Sequence, residues 1–145
     1  MDIRKCELRD AKRVHELVCQ LRPNKKIDYP AFQERFKKII ARKDYYCICA
    51  DIDGVMVGHL LLEIQDEQDQ IYWGTCAWIK NFIVDETCRG KGIGSALIEN
   101  AIAYARKQKC EFVQLICNLE RKASHEFYEK HGFEKTSYRF KLELH

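Results

Sequence analysis

The chain has 145 residues, of which 46% are hydrophobic and 32% are charged, and its formal net charge is +3. This composition is typical of a globular protein. The length predicts one domain over residues 1–145. The weak and dispersed charge argues against nucleic-acid binding. No apolar run approaches the roughly 18 residues of a membrane span, and the N-terminus lacks the apolar core of a signal peptide, so we expect a cytoplasmic protein without nucleic-acid or membrane partners.

The N-terminal part of the chain predicts one strand followed by two helices. Residues 2–8 show partial apolar alternation, and Asp10 is a suitable N-cap for a helix that ends at Leu21. A polar, basic connection over residues 22–30 contains both prolines. A second helix follows, because four apolar residues recur at helical spacing. These residues are Phe32, Phe36, Ile39 and Ile40.

The middle of the chain predicts a hairpin and then a long strand. Residues 45–52 and 55–64 are apolar strand segments, and the Asp53-Gly54 pair between them is a strong hairpin signal. An acidic loop covers residues 65–70. Residues 71–84 then predict one long strand, or two halves of a strand that a bulge separates.

A glycine-rich loop and a helix to about residue 107 lead into the C-terminal part. Residues 110–117 predict a strand, and residues 122–131 predict a helix that stops at Gly132. The tail alternates apolar and charged residues, which predicts a half-buried strand. Its apolar members are Tyr138, Phe140, Leu142 and Leu144. Antiparallel strands followed by strand–helix–strand units indicate an α/β (α+β) fold, with a mixed, mainly antiparallel central sheet and helices on both faces.

The most informative segment joins the strand that ends at Val84 to the following helix. This arrangement leaves the first backbone N–H groups of the helix without intrahelical partners, and the helix dipole adds partial positive charge there. Glycines let a ligand approach the backbone closely, and two basic side chains add charge. We therefore predict a phosphate-binding pocket. Its candidate residues are Phe82, Ile83, Val84, Arg89, Gly90, Lys91, Gly92, Ile93, Gly94 and Ser95.

The spacing of the glycines narrows the choice of phosphate ligand. The P-loop pattern Gly-x-x-x-x-Gly-Lys-Ser/Thr is absent, and residues 90–94 do not fit Gly-x-Gly-x-x-Gly. The pattern Arg-x-x-Gly-x-Gly, at Arg89, Gly92 and Gly94, resembles instead the pyrophosphate loop of the GCN5-related N-acetyltransferases (GNAT), which bind acetyl-coenzyme A (acetyl-CoA). The segment Phe-Tyr-Glu-Lys-His-Gly-Phe over residues 127–133 is similar to a second signature of that family.

The resemblance implies a GNAT-type fold and a specific reaction. The enzyme would move an acetyl group from acetyl-CoA to a primary amine by direct attack in a ternary complex. Arg121-x-x-Ser124-His125, together with Ser137 and Phe140, is similar to the aminoalkylphosphonate and related small-amine N-acetyltransferases. In the family, the strand before the loop pairs with the pantetheine arm of the cofactor, and one of its N–H groups faces the thioester oxygen.

Two residues near the C-terminus take roles from the same resemblance. Tyr128 matches a helix tyrosine that protonates the departing thiolate in many relatives, and packing against the cofactor or the core is the alternative for this residue. Asn118 is a candidate hydrogen-bond partner for the pantetheine arm. Tyr128 is therefore the candidate catalytic residue, and Asn118 joins the cofactor-binding set.

The general base stays unassigned at this stage. Many relatives place a glutamate on the fourth strand, where this chain has Trp78, Lys80 and Asn81. Glu63 is a candidate base, with a surface carboxylate as the alternative reading. His125 matches a family histidine that could hold water or substrate, and a packing role is the alternative for it.

The acceptor amine is the least determined part of the prediction. A basic segment containing Arg22, Lys25 and Lys26 suits an anionic aminoalkyl compound, and solvated loop charge is the alternative for it. The acidic residues 66–69 suit instead a polyamine or a lysine side chain. A small-molecule amine is the leading expectation. The alternatives are acetylation of a protein lysine or N-terminus, and a non-catalytic acyl-CoA-binding regulatory module. The alternating tail is also suited to pair with the sheet edge of a second copy, so a homodimer is a further expectation.

The cysteines point to a reducing environment rather than to metal. The chain has eight of them, without a Cys-x-x-Cys spacing, and most lie in apolar segments. We therefore expect reduced, mostly buried thiols and no metal ligands. Cys88 lies in the predicted phosphate turn, where it is either a reactive thiol or an inert loop residue.

Overall fold

The computed structural model describes all 145 residues, and these group into two compact units, Met1–Val113 and Gln114–His145, which we describe separately. The helices and strands follow in chain order. They are β1 (Asp2–Lys5), α1 (Ala11–Leu21), α2 (Tyr29–Ala41), β2 (Tyr45–Ile52), β3 (Val55–Gln65), β4 (Cys76–Val84), α3 (Ile93–Lys107), β5 (Val113–Leu115) and α4 (Lys122–Lys130). None of the helices is both long enough and apolar enough to cross a membrane.

The central sheet has the strand order β1-β2-β3-β4-β5, and its first four strands pair antiparallel. This arrangement confirms the mainly antiparallel sheet that the sequence predicts. Two single-residue bulges interrupt the ladders, because Val57 on β3 and Lys80 on β4 each lack an opposing residue. A bulge re-aims the side chains that follow it.

Helices cover both faces of the sheet in the first unit, as the sequence predicts. Alternate residues of a strand point to opposite faces. On one face, Cys47 and Leu61 join the core that α1 and α2 build with Val14, Leu17 and Phe36. The other face packs against α3. There Tyr46 stacks on Tyr104 with ring centroids 3.7 Å apart, and its hydroxyl donates to Asn100 Oδ1 at 2.7 Å.

The helix starts follow from local chemistry. The side chain of Asp28 accepts a hydrogen bond from Ala31 N at 3.0 Å and so caps α2, while Pro30 fits into the first turn of that helix. Asp10 precedes α1 as predicted, but its carboxylate does not cap that helix. It instead accepts a hydrogen bond from the backbone N–H of Glu7 and pairs with Arg4.

Gly58 on β3 sets the distance between the sheet and α3. A Cβ atom at this position would lie 2.8 Å from Leu97 Cδ1 and 3.2 Å from Ile93 Cγ2. Both of these side chains are almost completely buried. The start of α3 therefore approaches the sheet as closely as it does because β3 has a glycine there.

We expect Gly58→Ala to destabilise the protein by about 1–3 kcal/mol, because the added methyl group overpacks the contact with α3. Urea unfolding followed by circular dichroism measures this change as a lower midpoint at constant m-value. Leu97→Val in the same chain removes a methylene from the contact, so the double variant should lose less stability than the sum of the two single variants. Strict additivity would show that Gly58 does not set this spacing.

Two sequence predictions are wrong. β4 begins at Cys76, and residues 71–75 before it are irregular, with Ile71 and Tyr72 exposed. The tail forms no strand, and Phe140, for example, is 95% exposed. Alternation indicates a strand only where a neighbouring strand supplies hydrogen bonds and a sheet face receives the apolar side chains. In the single chain, the tail has neither a neighbouring strand to pair with nor a sheet face that receives its apolar side chains.

Candidate functional site

The loop between β4 and α3 is anchored at its first residue, Asp85. Its Oδ1 accepts hydrogen bonds from the N–H and the hydroxyl of Thr87, at 3.0 and 2.9 Å, and its Oδ2 pairs with Arg13 on α1. The backbone N–H of Thr87 and the Arg13 guanidinium lower the pKa of Asp85 to about 2. The short 3-10 turn Glu86–Cys88 is thereby fixed to the end of the strand.

Left-handed glycines then turn the chain into α3. Gly90 has φ +83° and Gly92, the N-cap of the helix, has φ +78°, and a Cβ atom at either position would meet no neighbouring atom within 4 Å. The guanidinium of Arg89 donates to the carbonyl of Val84 at 3.4 Å. The loop therefore presents bare, solvent-facing backbone at the start of a 15-residue helix.

The structure brings ten of the predicted cofactor-binding residues together in this one segment. Ile83 and Ile93 are buried and anchor its two ends in the core. Arg89 to Gly92 form the exposed turn, and the remaining members are partly exposed. The first N–H groups of α3 have no acceptor within the helix, and the helix dipole is positive there. Such a corner is suited to bind an anion, and its assignment to a pyrophosphate stays a prediction.

The first unit also contains a cavity of about 190 Å³ between α1, α2 and the sheet. Apolar side chains form most of its wall, and three polar side chains contribute to it. The residues that line it are Val14, Phe32, Arg35, Phe36, Ile39, Cys47, His59, Leu61 and Asn81. Drug-sized ligands occupy pockets of about 300–1,000 Å³, so this cavity is suited to a smaller molecule.

The bulge at Lys80 gives Asn81 its place in the cavity. Before the bulge, Ile79 lies opposite Leu62, and after it Asn81 lies opposite Leu61, which also lines the cavity. Without the extra residue, the alternation of β4 would turn the Asn81 side chain to the other face. The bulge also interrupts the ladder in the strand that leads to the glycine loop.

Glu63 is engaged in other contacts. Its carboxylate accepts hydrogen bonds from the Tyr45 hydroxyl and the Gln65 amide, both at 2.8 Å, and lies 3.9 Å from the Lys80 ammonium group. It is not part of the cavity wall. These contacts favour a structural role for Glu63 over the general-base interpretation. Its side chain is only 15% exposed, so it is not the surface carboxylate of the alternative either.

The second unit contains Asn118, His125 and Tyr128. The carbonyl of Asn118 accepts a hydrogen bond from the His125 ring at 2.8 Å, while its side-chain oxygen accepts one from Glu120 N at 3.0 Å. His125 therefore secures the turn before α4. This contact supports the packing alternative for His125.

Tyr128 lies on α4 among aromatic side chains. Its ring centroid is 5.5 Å from that of Phe127 and 5.8 Å from that of Phe133. Burial, reinforced by the neighbouring Cys117, raises the pKa of the Tyr128 hydroxyl to about 12. The hydroxyl therefore stays protonated near neutral pH, where it can donate a hydrogen bond.

Sequence reasoning did not identify Arg35 or His59 as cavity residues. Arg35 is one of several basic residues along α2, and only the packing of that helix shows that it reaches the cavity. His59 is buried on β3, where burial lowers its pKa to about 4, and its Nδ1 donates to the Ile48 carbonyl at 3.0 Å. The alternation of β3 was the available signal for His59, because it places His59 on the same face of the strand as Leu61, which also lines the cavity.

Comparisons with known proteins agree with this architecture. The family model described as "Acetyltransferase (GNAT) family" matches residues 11–133. An aminoalkylphosphonate N-acetyltransferase from Salmonella typhimurium is 31% identical over 140 residues, which span 93% of this chain and 89% of the relative. A crystal structure described as a transcriptional regulator from Bacillus halodurans C-125 superposes with a TM-score of 0.89 at 25% identity, covering 99% of both chains. The crystal structure of glucosamine-6-phosphate N-acetyltransferase from Arabidopsis thaliana superposes with a TM-score of 0.81 at 25% identity, covering 99% of this chain and 98% of that one.

Proposed function

The chain belongs to the acetyltransferase (GNAT) family and is an acetyl-CoA-dependent N-acetyltransferase, and from this premise we propose that it acetylates the primary amine of a small molecule by direct attack in a ternary complex. One observation carries the proposal. The strand β4 ends in a loop of left-handed glycines at the start of α3, and the same strand contributes Asn81 to a small cavity.

The cofactor's pyrophosphate is assigned to the loop from Arg89 to Ser95. Gly90 and Gly92 leave the backbone open to it, and the first N–H groups of α3 donate to its oxygens. The backbone of residues 82–84 pairs with the pantetheine arm, and Asn118 is proposed as a further partner of that arm. An N–H group of the strand faces the thioester oxygen and stabilises its developing negative charge.

The acceptor is assigned to the cavity under α1 and α2. Two relatives act on compounds whose names combine an amine with a phosphorus-containing anion, an aminoalkylphosphonate and glucosamine 6-phosphate. In this chain, Arg35 supplies a guanidinium at the cavity wall, and guanidinium pairs well with phosphonate or phosphate oxygens. We therefore include a small amine that carries such an anion in the proposal. The cavity's volume supports a small molecule over a peptide.

The reaction follows from these assignments. The neutral amine attacks the thioester carbonyl and forms the C–N bond, the C–S bond breaks, and the thiolate leaves. The nitrogen loses one proton to water as the amide forms, which balances the proton that the sulfur gains. The proton that the thiolate needs is assigned to Tyr128, whose hydroxyl remains protonated at neutral pH.

The proposal also includes one domain over residues 1–145 and a reducing, cytoplasmic location. Such a location suits the eight free thiols of the chain.

Free-thiol release from acetyl-CoA, measured against a panel of amines, tests the proposed function. We expect short aminoalkylphosphonates to be acetylated with a higher kcat/KM than alkylamines of the same length without the anion. Replacing Arg35 with alanine should raise KM for the phosphonates by about 10–100-fold, because a hydrogen bond to a charged group contributes about 1.5–3 kcal/mol. KM for the uncharged amines should change little.

The matched control is Lys37→Ala. Lys37 is exposed on α2, two residues from Arg35 and on a different side of the helix. The Lys37→Ala variant removes one positive charge from α2 and leaves the side chains of the cavity wall unchanged. An equal rise of KM in both variants would contradict the cavity assignment. Tight binding of acetyl-CoA without thiol release on any amine or peptide would favour the regulatory module instead.

A further inference from the structure

Three buried side chains on neighbouring strands of the first unit converge on one point. Cys6 follows β1, Cys47 lies on β2 and His59 on β3, and one donor atom from each lies within 4.8 Å of the other two. The strand register explains this convergence. The N–H of Cys6 donates to the Cys47 carbonyl at 2.9 Å, and His59 lies opposite Cys49, two residues along β2 from Cys47.

From this geometry we propose that Cys6, Cys47 and His59 bind one Zn²⁺ ion. Thiolate sulfur and imidazole nitrogen are the usual zinc ligands, at bond lengths of about 2.3 and 2.0 Å, so ligand atoms in a tetrahedral site lie about 3.5–3.8 Å apart. The Sγ of Cys6 is 3.9 Å from Nδ1 of His59, which donates to the Ile48 carbonyl at 3.0 Å. Binding of zinc through this nitrogen moves the ring proton to Nε2 and replaces that hydrogen bond with the Zn–N bond. The distances to Cys47 Sγ are at most 4.8 Å, so closing the tetrahedral site requires shifts of up to about 1 Å.

Charge balance in the buried site favours zinc over other thiophilic ions. Two thiols each lose a proton to the solvent as two Zn–S bonds form, and the neutral imidazole gives the third bond. The resulting Zn²⁺ complex has no net charge, which limits the cost of burying it. Cu⁺ with the same ligands would leave one negative charge.

A neighbouring group of donors is already occupied. Cys6, Asp10 and Cys49 also lie within 4.8 Å of one another. However, both carboxylate oxygens of Asp10 accept hydrogen bonds from Arg4 at 2.9 Å, and Asp10 also accepts one from Glu7 N at 2.7 Å. This carboxylate is committed to its ion pair, which leaves the thiol–thiol–imidazole group as the coordinating set.

The cavity under α1 and α2 gives the ion a way in. Cys47 and His59 both line it. A water molecule in that cavity can fill the fourth coordination position, as in zinc sites with three protein ligands. No spacing signal in the sequence marks this site, because its ligands lie just after β1, on β2 and on β3 and meet only in the folded sheet.

Equilibrium dialysis of the reduced, full-length protein against Zn²⁺, followed by metal analysis, tests the site. We expect one equivalent of zinc to be retained, with the release of two protons per ion. Cys6→Ser and Cys47→Ser should each bind zinc at least about 100-fold more weakly, because even partners outside the coordination sphere change metal affinity by about 10–100-fold. Cys76→Ser is the matched control, since Cys76 is also buried and free but lies on β4.

Cobalt substitution and thiol labelling keep the test independent of how the variants fold. In the wild-type protein, Co²⁺ should give a thiolate-to-cobalt charge-transfer band, and added zinc should slow alkylation of Cys6 and Cys47 but not of Cys110. The proposal would be overturned if the protein retained less than a tenth of an equivalent of zinc, roughly the level of a surface contaminant. Binding of Cu⁺ without Zn²⁺ would also overturn it. So would a loss of zinc affinity in Cys76→Ser as large as in the two ligand variants. None of these measurements involves acetyl transfer, so the zinc site and the proposed function fail separately.

Discussion

Replacing Gly92 with valine is expected to lower the affinity for coenzyme A by more than about 100-fold, because it would disrupt at least two hydrogen bonds to charged oxygens at about 1.5–3 kcal/mol each. Gly92 has φ +78° at the N-cap of α3, a conformation that a β-branched residue rarely adopts. The backbone would shift, or the side chain would occupy the open space assigned to the pyrophosphate. Isothermal titration calorimetry with coenzyme A measures this affinity directly.

Gly54 provides a matched control within the same unit. It has φ +80° in the turn between β2 and β3, and a Cβ atom there would also meet no neighbour within 4 Å. Gly54→Val should therefore cost a similar amount of conformational free energy while leaving the affinity for coenzyme A unchanged. If Gly92→Val bound coenzyme A normally, or if both variants lost affinity equally, the loop would not be the pyrophosphate site.

The glycine loop was predictable because its signal is local. A strand, a polar turn, three glycines and an amphipathic helix follow one another within residues 76–107. Hydrogen bonding inside such a segment depends little on the rest of the chain. The structure places Val84, Arg89 and Ile93 in the elements that the sequence assigns to them. The roles of these residues in cofactor binding stay predictions that the Gly92 experiment tests.

The cavity was not predictable in the same way. Arg35, His59 and Asn81 lie on α2, β3 and β4, and only strand pairing and helix packing bring them together. The bulge at Lys80 matters most here, because it shifts the alternation of β4 by one residue. A bulge within residues 71–84 is one of the two alternatives that the sequence predicts, but no local pattern places it at Lys80, since bulges depend on the partner strand.

The tail shows the opposite error, in which a clear pattern overstates the structure. Tyr138 and Phe140 alternate with charged residues as a half-buried strand would, yet both side chains are exposed. Period-two alternation describes what a segment would bury if a sheet received it, and it says nothing about whether an edge is available. For the same reason, the alternation alone does not establish a homodimer.

Tyr128→Phe is expected to lower kcat by about 10²–10⁴-fold, the usual contribution of a positioned general acid. The substitution removes one hydroxyl and keeps the ring that packs near Phe127 and Phe133. Because the pKa of this hydroxyl is raised to about 12, the wild-type rate should show no loss near pH 10 from its ionisation. A proton donor acts on the leaving thiolate only after the amine attacks, so the affinity for coenzyme A should stay nearly constant.

Steady-state turnover and calorimetric binding of coenzyme A, measured on the same preparation, separate the catalytic role from a packing role. Tyr138→Phe removes a hydroxyl from an exposed position of the same unit and should leave both quantities unchanged. A packing role would show instead as a lower unfolding midpoint with near-normal kcat. A parallel loss of turnover and cofactor affinity would assign Tyr128 to binding, because only a group that acts in the transition state lowers kcat while leaving the ground-state complex intact.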